Sequence, residues 1–392
     1  MGDYIGRKPV FFISLIILII GKIMQLFLTS WYYLYMLGNL ISALTPMAMY
    51  QTVLIIGMEI SSIDDNPHIA MLQGIGWTLG ISILPLLYWW LQNWFYFVLI
   101  SSLPITFFMI NNKYMIESPR WLSSRGKVER CEKMLRKIAK VNKTTLNDDA
   151  LEILKQDKFE QEKLYGMASL FSSFTLAKNS LMMALLWIIG GLAHFMLILN
   201  VTNMDGNPFL NFLYQGIVEL PALFLGKWTT NKFGRKWTAV GSFTCATISA
   251  VPLLFTSVDS SLHVYTTTLT VIIRFCISVT FFVMMIQGVE IFPTCLRQTG
   301  VALGVILGNA FGILGPYVVY LGTAYDVRYP YLILVLLMLS GFFAEMMLPE
   351  TLHHKLPETL AEAQNFGRDQ KFWHLPKKPA AQLEQSLRLE KK

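Results

Sequence analysis

Ten apolar runs, each close to the length of about 20 residues that a helix needs to cross a bilayer, set the frame for this 392-residue chain. They lie near 9–29, 31–57, 68–90, 92–114, 181–202, 208–228, 237–256, 264–288, 298–321 and 329–348. Continuous apolar stretches satisfy their backbone groups within one segment, so they predict helices rather than barrel strands. Composition agrees, with 54% hydrophobic and 15% charged residues and a mean hydropathy of +0.48. An average soluble domain carries roughly 25% charged residues. Disorder, coiled coil and secreted disulfide scaffolds are excluded, and the chain reads as an all-α, multi-pass membrane protein.

Lys and Arg give the orientation. With a cytoplasmic N-terminus and alternating spans, 29 of the 32 basic residues fall inside, 14 of them between Lys113 and Lys178. Only Arg328 falls outside, and Lys22 and Arg274 lie within spans. Positive-inside bias therefore places both termini in the cytoplasm. The net charge of +7 belongs to these loops, so no nucleic-acid partner is inferred.

The expected organisation is an incomplete four-helix half at 1–114, a cytoplasmic connector at 115–178, a six-helix half at 179–348 and a tail at 349–392. In the connector, Val128, Cys131, Leu135 and Ile138 recur at helical spacing between basic residues, predicting an amphipathic helix.

Three signatures repeat. Gly6-Arg7-Lys8 returns as Gly234-Arg235-Lys236, Glu59-Ile60 as Glu290-Ile291, and Pro119 as Pro349, at offsets of 228, 231 and 230. Concordant offsets at matching topological positions mark a duplicated half, as in many transporters. Two spans precede Gly234 in the second half, and the same offset places their counterparts ahead of Met1.

These residues resemble the major facilitator superfamily, in particular its organic cation/anion transporter branch. Asp3-Tyr-Ile-Gly-Arg-Lys8 resembles the loop between family helices two and three, and Glu117-Ser-Pro-Arg-Trp-Leu122 the signature after helix six. Glu219-Leu-Pro-Ala222 resembles helix eight. Arg274-Phe-Cys-Ile-Ser278 and Glu290-Ile-Phe-Pro-Thr-Cys-Leu-Arg297 resemble helix ten and its following loop. Leu348-Pro-Glu-Thr351 and Leu356-Pro-Glu-Thr-Leu360 resemble the start of the tail. The resemblance implies a bundle of twelve helices, of which ten are predicted here. It also implies alternating-access transport of small organic ions at the plasma membrane, without a cofactor.

Charges inside a bilayer are costly and tend to be functional or paired. Glu219 and Arg274 lie near the midplane, and two readings stand: a buried salt bridge, or a substrate-facing carboxylate with a nearby counter-charge. Lys22, in the outer part of its span, is read as structural and able to snorkel outward. Resemblance adds Trp187 and His194 as cavity aromatics. It also adds Asn309, where cation carriers have an acidic residue and many anion carriers a basic one. Asn39 falls where the family often has Arg. The substrate-binding candidates are thus Glu219, Arg274, Asn309, Trp187 and His194.

Asp3, Gly6, Arg7, Lys8, Glu59, Glu117, Arg120, Gly234, Arg235, Lys236, Glu290 and Arg297 are expected to gate the cytoplasmic face. Asn231 replaces the family's Asp in the second copy, which should weaken that latch. No hydrolytic triad, phosphate loop or metal-ligand spacing appears, so an enzyme is not expected. Two alternatives stay open: a non-transporting fragment or decoy, and a porter of sugars or other neutral solutes. Substrate identity and oligomeric state are not legible.

Overall fold

A computed structural model describes residues 2–62, 65–110, 115–144, 165–200, 207–256, 263–354, 356–368, 370 and 373. The first half contains α1 (Arg7–Phe27), α2 (Tyr32–Ala43), α3 (Pro46–Ile60), α4 (Asn66–Leu91) and α5 (Trp94–Ile110). The connector holds α6 (Val128–Val141). The second half contains α7 (Phe174–Asn200), α8 (Pro208–Phe233), α9 (Arg235–Ala250), α10 (His263–Ile291), α11 (Arg297–Gly312), α12 (Gly315–Ala324) and α13 (Arg328–Met347). Among the described residues, nine segments are helical, apolar and at least 18 residues long.

The span predicted at 92–114 contains α5, of 17 residues, and 111–114 lie outside the described ones. Two expected single spans are each built from two helices. Near 31–57 the chain breaks between Ala43 and Pro46, whose ring suits the first turn of α3. Near 298–321 it breaks between Gly312 and Gly315, with Pro316 in the first turn of α12. The predicted amphipathic helix forms over Val128–Val141, its Cys131 buried against Trp121 and Leu122.

Helix α7 packs on α11, α13 and α10, α9 on α10 and α13, and α8 on α10. Across the halves α8 lies against α4, with further contacts of α10 on α4 and α11 on α3. Gly191 of α7 and Gly308 of α11 allow a close crossing, since a Cβ on Gly191 would stand 2.8 Å from the Gly308 carbonyl oxygen. The buried core is concentrated in the second half. There α7 and α8 cover α10, of whose most apolar stretch 72% is buried. The repeat-related span of α2 and α3 reaches 39%.

Candidate functional site

A cavity of about 380 Å³ lies where the halves meet. The first half contributes Met47, Tyr50 and Leu54 from α3 and Trp77 and Thr78 from α4. The second contributes Trp187 and His194 from α7, Glu219 from α8, Phe281 and Met285 from α10, and Asn309 from α11. Four of the five substrate-binding candidates therefore line one space. The fifth, Arg274, does not line it; its side chain is buried behind Glu219.

Glu219 and Arg274 each follow the first residue of their helix by eleven positions, about 16 Å along the axis at 1.5 Å per residue. Their side chains form an ion pair, Arg274 Nη2 donating to Glu219 Oε1. Thr78 Oγ1 donates to Glu219 Oε2 at 3.3 Å from the other half. Arg274 Nη1 is 3.0 Å from His194 Nδ1. A guanidinium only donates, so that imidazole accepts through Nδ1 and carries its proton on Nε2. The two sequence readings of Glu219 and Arg274 are thus combined, for Glu219 is both paired and cavity-lining. Trp187 Nε1 and Arg274 Nε are buried with no hydrogen-bond partner among the described residues.

Aromatic rings enclose the space. Tyr50 and Trp77 meet edge to face at 5.5 Å, Trp187 and Phe281 at 6.1 Å, and His194 and Phe281 at 5.4 Å. Such faces attract organic cations. Tyr50, Trp77, Thr78 and Phe281 escaped the sequence reading because aromatic and Thr residues recur throughout the spans and nothing local distinguishes these positions. Lys22 Nζ donates to Gln25 Oε1 at 3.0 Å, one turn nearer the end of α1. Gln25 Nε2 in turn donates to Asn39 Oδ1 and Ser42 Oγ at 2.6 and 2.9 Å.

At the end of the bundle bearing the basic loops, the expected gating residues form two matching lattices. In the first half Glu117 accepts from the backbone N–H groups of Arg7 and Lys8, at 3.0 and 3.2 Å. Lys8 Nζ donates to the Met115 carbonyl at 2.8 Å, and Arg7 Nη2 pairs with Glu59 at 3.1 Å. In the second, Glu350 accepts from the N–H groups of Arg235 and Lys236 at 2.8 and 3.2 Å. Lys236 Nζ donates to the Met346 carbonyl at 2.7 Å, and Arg235 Nη2 pairs with Glu290 at 3.1 Å. Gly6 and Gly234 take φ of 107° and 94°. A Cβ at either would run into the carboxylate of Glu117 or Glu350. The third repeat signature is therefore carried by Glu117 and Glu350 rather than by the prolines beside them, and Glu350 was missed.

Other bonds cross between the halves. Arg297 Nη1 pairs with Glu59 at 2.7 Å, and Arg7 Nη2 donates to the Thr294 carbonyl at 3.1 Å. Asp3 caps α11, accepting from the N–H groups of Gln298 and Thr299 at 3.3 and 2.9 Å. Burial pushes the Asp3 carboxyl above its ordinary range, against the pull of Arg7 and Thr299. On the second side, Asn66 Nδ2 donates to Glu290 Oε1 at 2.9 Å and Lys227 Nζ meets His68 Nδ1 at 2.9 Å. Asn231 is exposed. Arg120 lies near Arg297 and makes no ion pair with a carboxylate among the described residues.

The family model described as "Sugar (and other) transporter" matches residues 1–362. An organic cation transporter protein of Drosophila melanogaster is 26% identical over 377 residues, covering 94% of this chain. A carcinine transporter and a beta-alanine transporter of the same organism are 27% and 26% identical, over 95% and 92% of the chain. The chain spans 68%, 56% and 60% of the lengths of these three relatives. Among solved structures, the major facilitator superfamily proton:xylose symporter XylE, bound to 6-bromo-6-deoxy-D-glucose, matches with a TM-score of 0.71 at 18% identity. That match covers 93% of this chain and 84% of the symporter chain. With the helix bundle, the paired lattices and a family match over nearly its whole length, the chain belongs to the sugar (and other) transporter family of the major facilitator superfamily.

Proposed function

We propose that the protein carries small organic ions, zwitterions or cations before anions, across the plasma membrane by alternating access. The carrying observation is the Glu219–Arg274 pair beside an aromatic cavity near the midplane. Each charge compensates the other, so a zwitterion can exchange into the pair, its ammonium on Glu219 at the cavity wall and its carboxylate toward Arg274 behind it. A cation would take Glu219 and the ring faces of Trp187, Tyr50 or Trp77. His194 and Asn309 supply neutral polar contacts. Both termini lie in the cytoplasm on this reading, and the ion pairs at the basic end close the cytoplasmic side. Opening requires Asp3 and Arg297 to leave their partners while the within-half lattices persist. The membrane potential adds about 2.3 kcal/mol per 100 mV to inward movement of each positive charge.

The test is saturable uptake of labelled organic cations and zwitterions in cells displaying the protein. Losing a charge-assisted contact of this kind costs about 1.5–3 kcal/mol, so Glu219→Gln should lower uptake efficiency at least about ten-fold at equal surface expression. Unchanged uptake removes Glu219 from the site. Competition by sugars alone would favour the neutral-solute porter, and an absence of saturable uptake the non-transporting reading.

A further inference from the structure

Between Lys127 and Lys143 the chain carries seven cations and only two acids, Glu129 and Glu132. Helix α6 turns Cys131, Met134 and Leu135 toward Trp121 and Leu122. At about 100° per residue, the spacing of a 3.6-residue turn, Lys133, Lys137 and Lys140 turn to the far side and Arg130 to its flank. All four are exposed. The helix is tied to the membrane-proximal end of the bundle. Trp121 Nε1 and Arg125 Nη2 both donate to the Asp3 carbonyl, at 3.0 and 2.7 Å.

Lys8 is the second residue of α1, whose Ile13, Ile16, Ile20 and Ile23 form an exposed stripe at helical spacing. That stripe faces lipid, which puts Lys8 at headgroup depth. Lys137 is the cation of this face whose charge acts on Lys8. At this depth phospholipid phosphates are the abundant anions.

We propose that the basic face of α6, together with Lys8, is a docking surface for anionic phospholipid headgroups of the cytoplasmic leaflet. This rests on the membrane-spanning reading and its orientation. Because the same hairpin holds the Asp3 carbonyl while the Asp3 carboxylate caps α11, a docked lipid braces the closed cytoplasmic side.

The test is native mass spectrometry of the full chain titrated with phosphatidylserine or phosphatidylcholine. Phosphatidylserine should be retained preferentially. The variant R130Q/K133Q/K140Q should weaken it about five-fold for each cation removed, and R130K/K133R/K140R should preserve it. Equal retention of both lipids, or unchanged phosphatidylserine binding by the Gln variant, overturns the proposal. So does equally tight binding of soluble glycerophosphoserine, which would make this a site for free phosphate esters. Lipid retention does not need transport, so a failed uptake assay would overturn the proposed function and leave this inference standing.

Discussion

The two halves share a lattice and differ in how they reach across to each other. Within each half an Arg pairs with a Glu, Arg7 with Glu59 and Arg235 with Glu290. In each, a second Glu receives the N–H groups that open the following helix, and a Lys caps a Met carbonyl. Across the halves the symmetry fails. Glu59 meets the cation of Arg297, whereas Glu290 meets the neutral amide of Asn66, which stands 231 positions before Arg297. Asp3 caps α11, whereas Asn231, 228 positions later, faces solvent. Duplication preserved the parts that hold helix ends within a half. The crossing parts diverged, leaving one charged limb and one neutral limb on the gate.

Glu59→Gln attacks the charged limb hardest, because Glu59 serves both Arg7 and Arg297 in a fully buried site. Removing one member of such a group leaves uncompensated charge and costs about 3–5 kcal/mol. The variant should melt well below wild type, and a melting temperature equal to wild type would show that the limb is dispensable.

Changing Gly234 to Ala is expected to cost somewhat less. A positive φ disfavours any side chain by about 1–2 kcal/mol, and the new methyl would meet Glu350. Gly6→Ala should cost a similar amount by colliding with Glu117. Unequal melting temperatures for the two would show that the lattices are not equivalent. Arg297→Asn turns the charged limb into a likeness of the neutral one, while Glu59 keeps Arg7. Loss of that charge-assisted bond should favour the open cytoplasmic side by about 1.5–3 kcal/mol. The readout is increased labelling of a cysteine placed in the pathway from the cytoplasmic side.

The smallest expected effect belongs to Asn231→Asp, which puts a carboxylate at the repeat counterpart of Asp3, as α4 is the repeat counterpart of the α11 that Asp3 caps. An anion at a helix N-terminus contributes about 0.3–1 kcal/mol, here toward closure. Reduced cytoplasmic labelling checks it, and increased labelling would reverse the assignment of Asn231 to the weak limb.

Much of the molecule was legible in its residues. Span positions follow from the cost of unpaired backbone in hydrocarbon, a property of each segment alone. The breaks at Pro46 and before Pro316 escaped because apolarity continues through them. The repeat exposed Arg7, Glu59, Arg235 and Glu290, and the resemblance Arg297, since charge at a helix end stands out against an apolar background. Glu350 was overlooked because the prolines suggested a different register.

By itself, then, the sequence determined that the chain is a membrane bundle, where its helices run and which charges sit at their ends. Tertiary structure decided the partners. Glu219 joins Arg274 across 55 positions and Thr78 across 141, and Asn66 reaches Glu290 across 224. Periodicity constrains one helix at a time, whereas the choice between a cavity-facing carboxylate and a buried pair depends on which helix packs beside it.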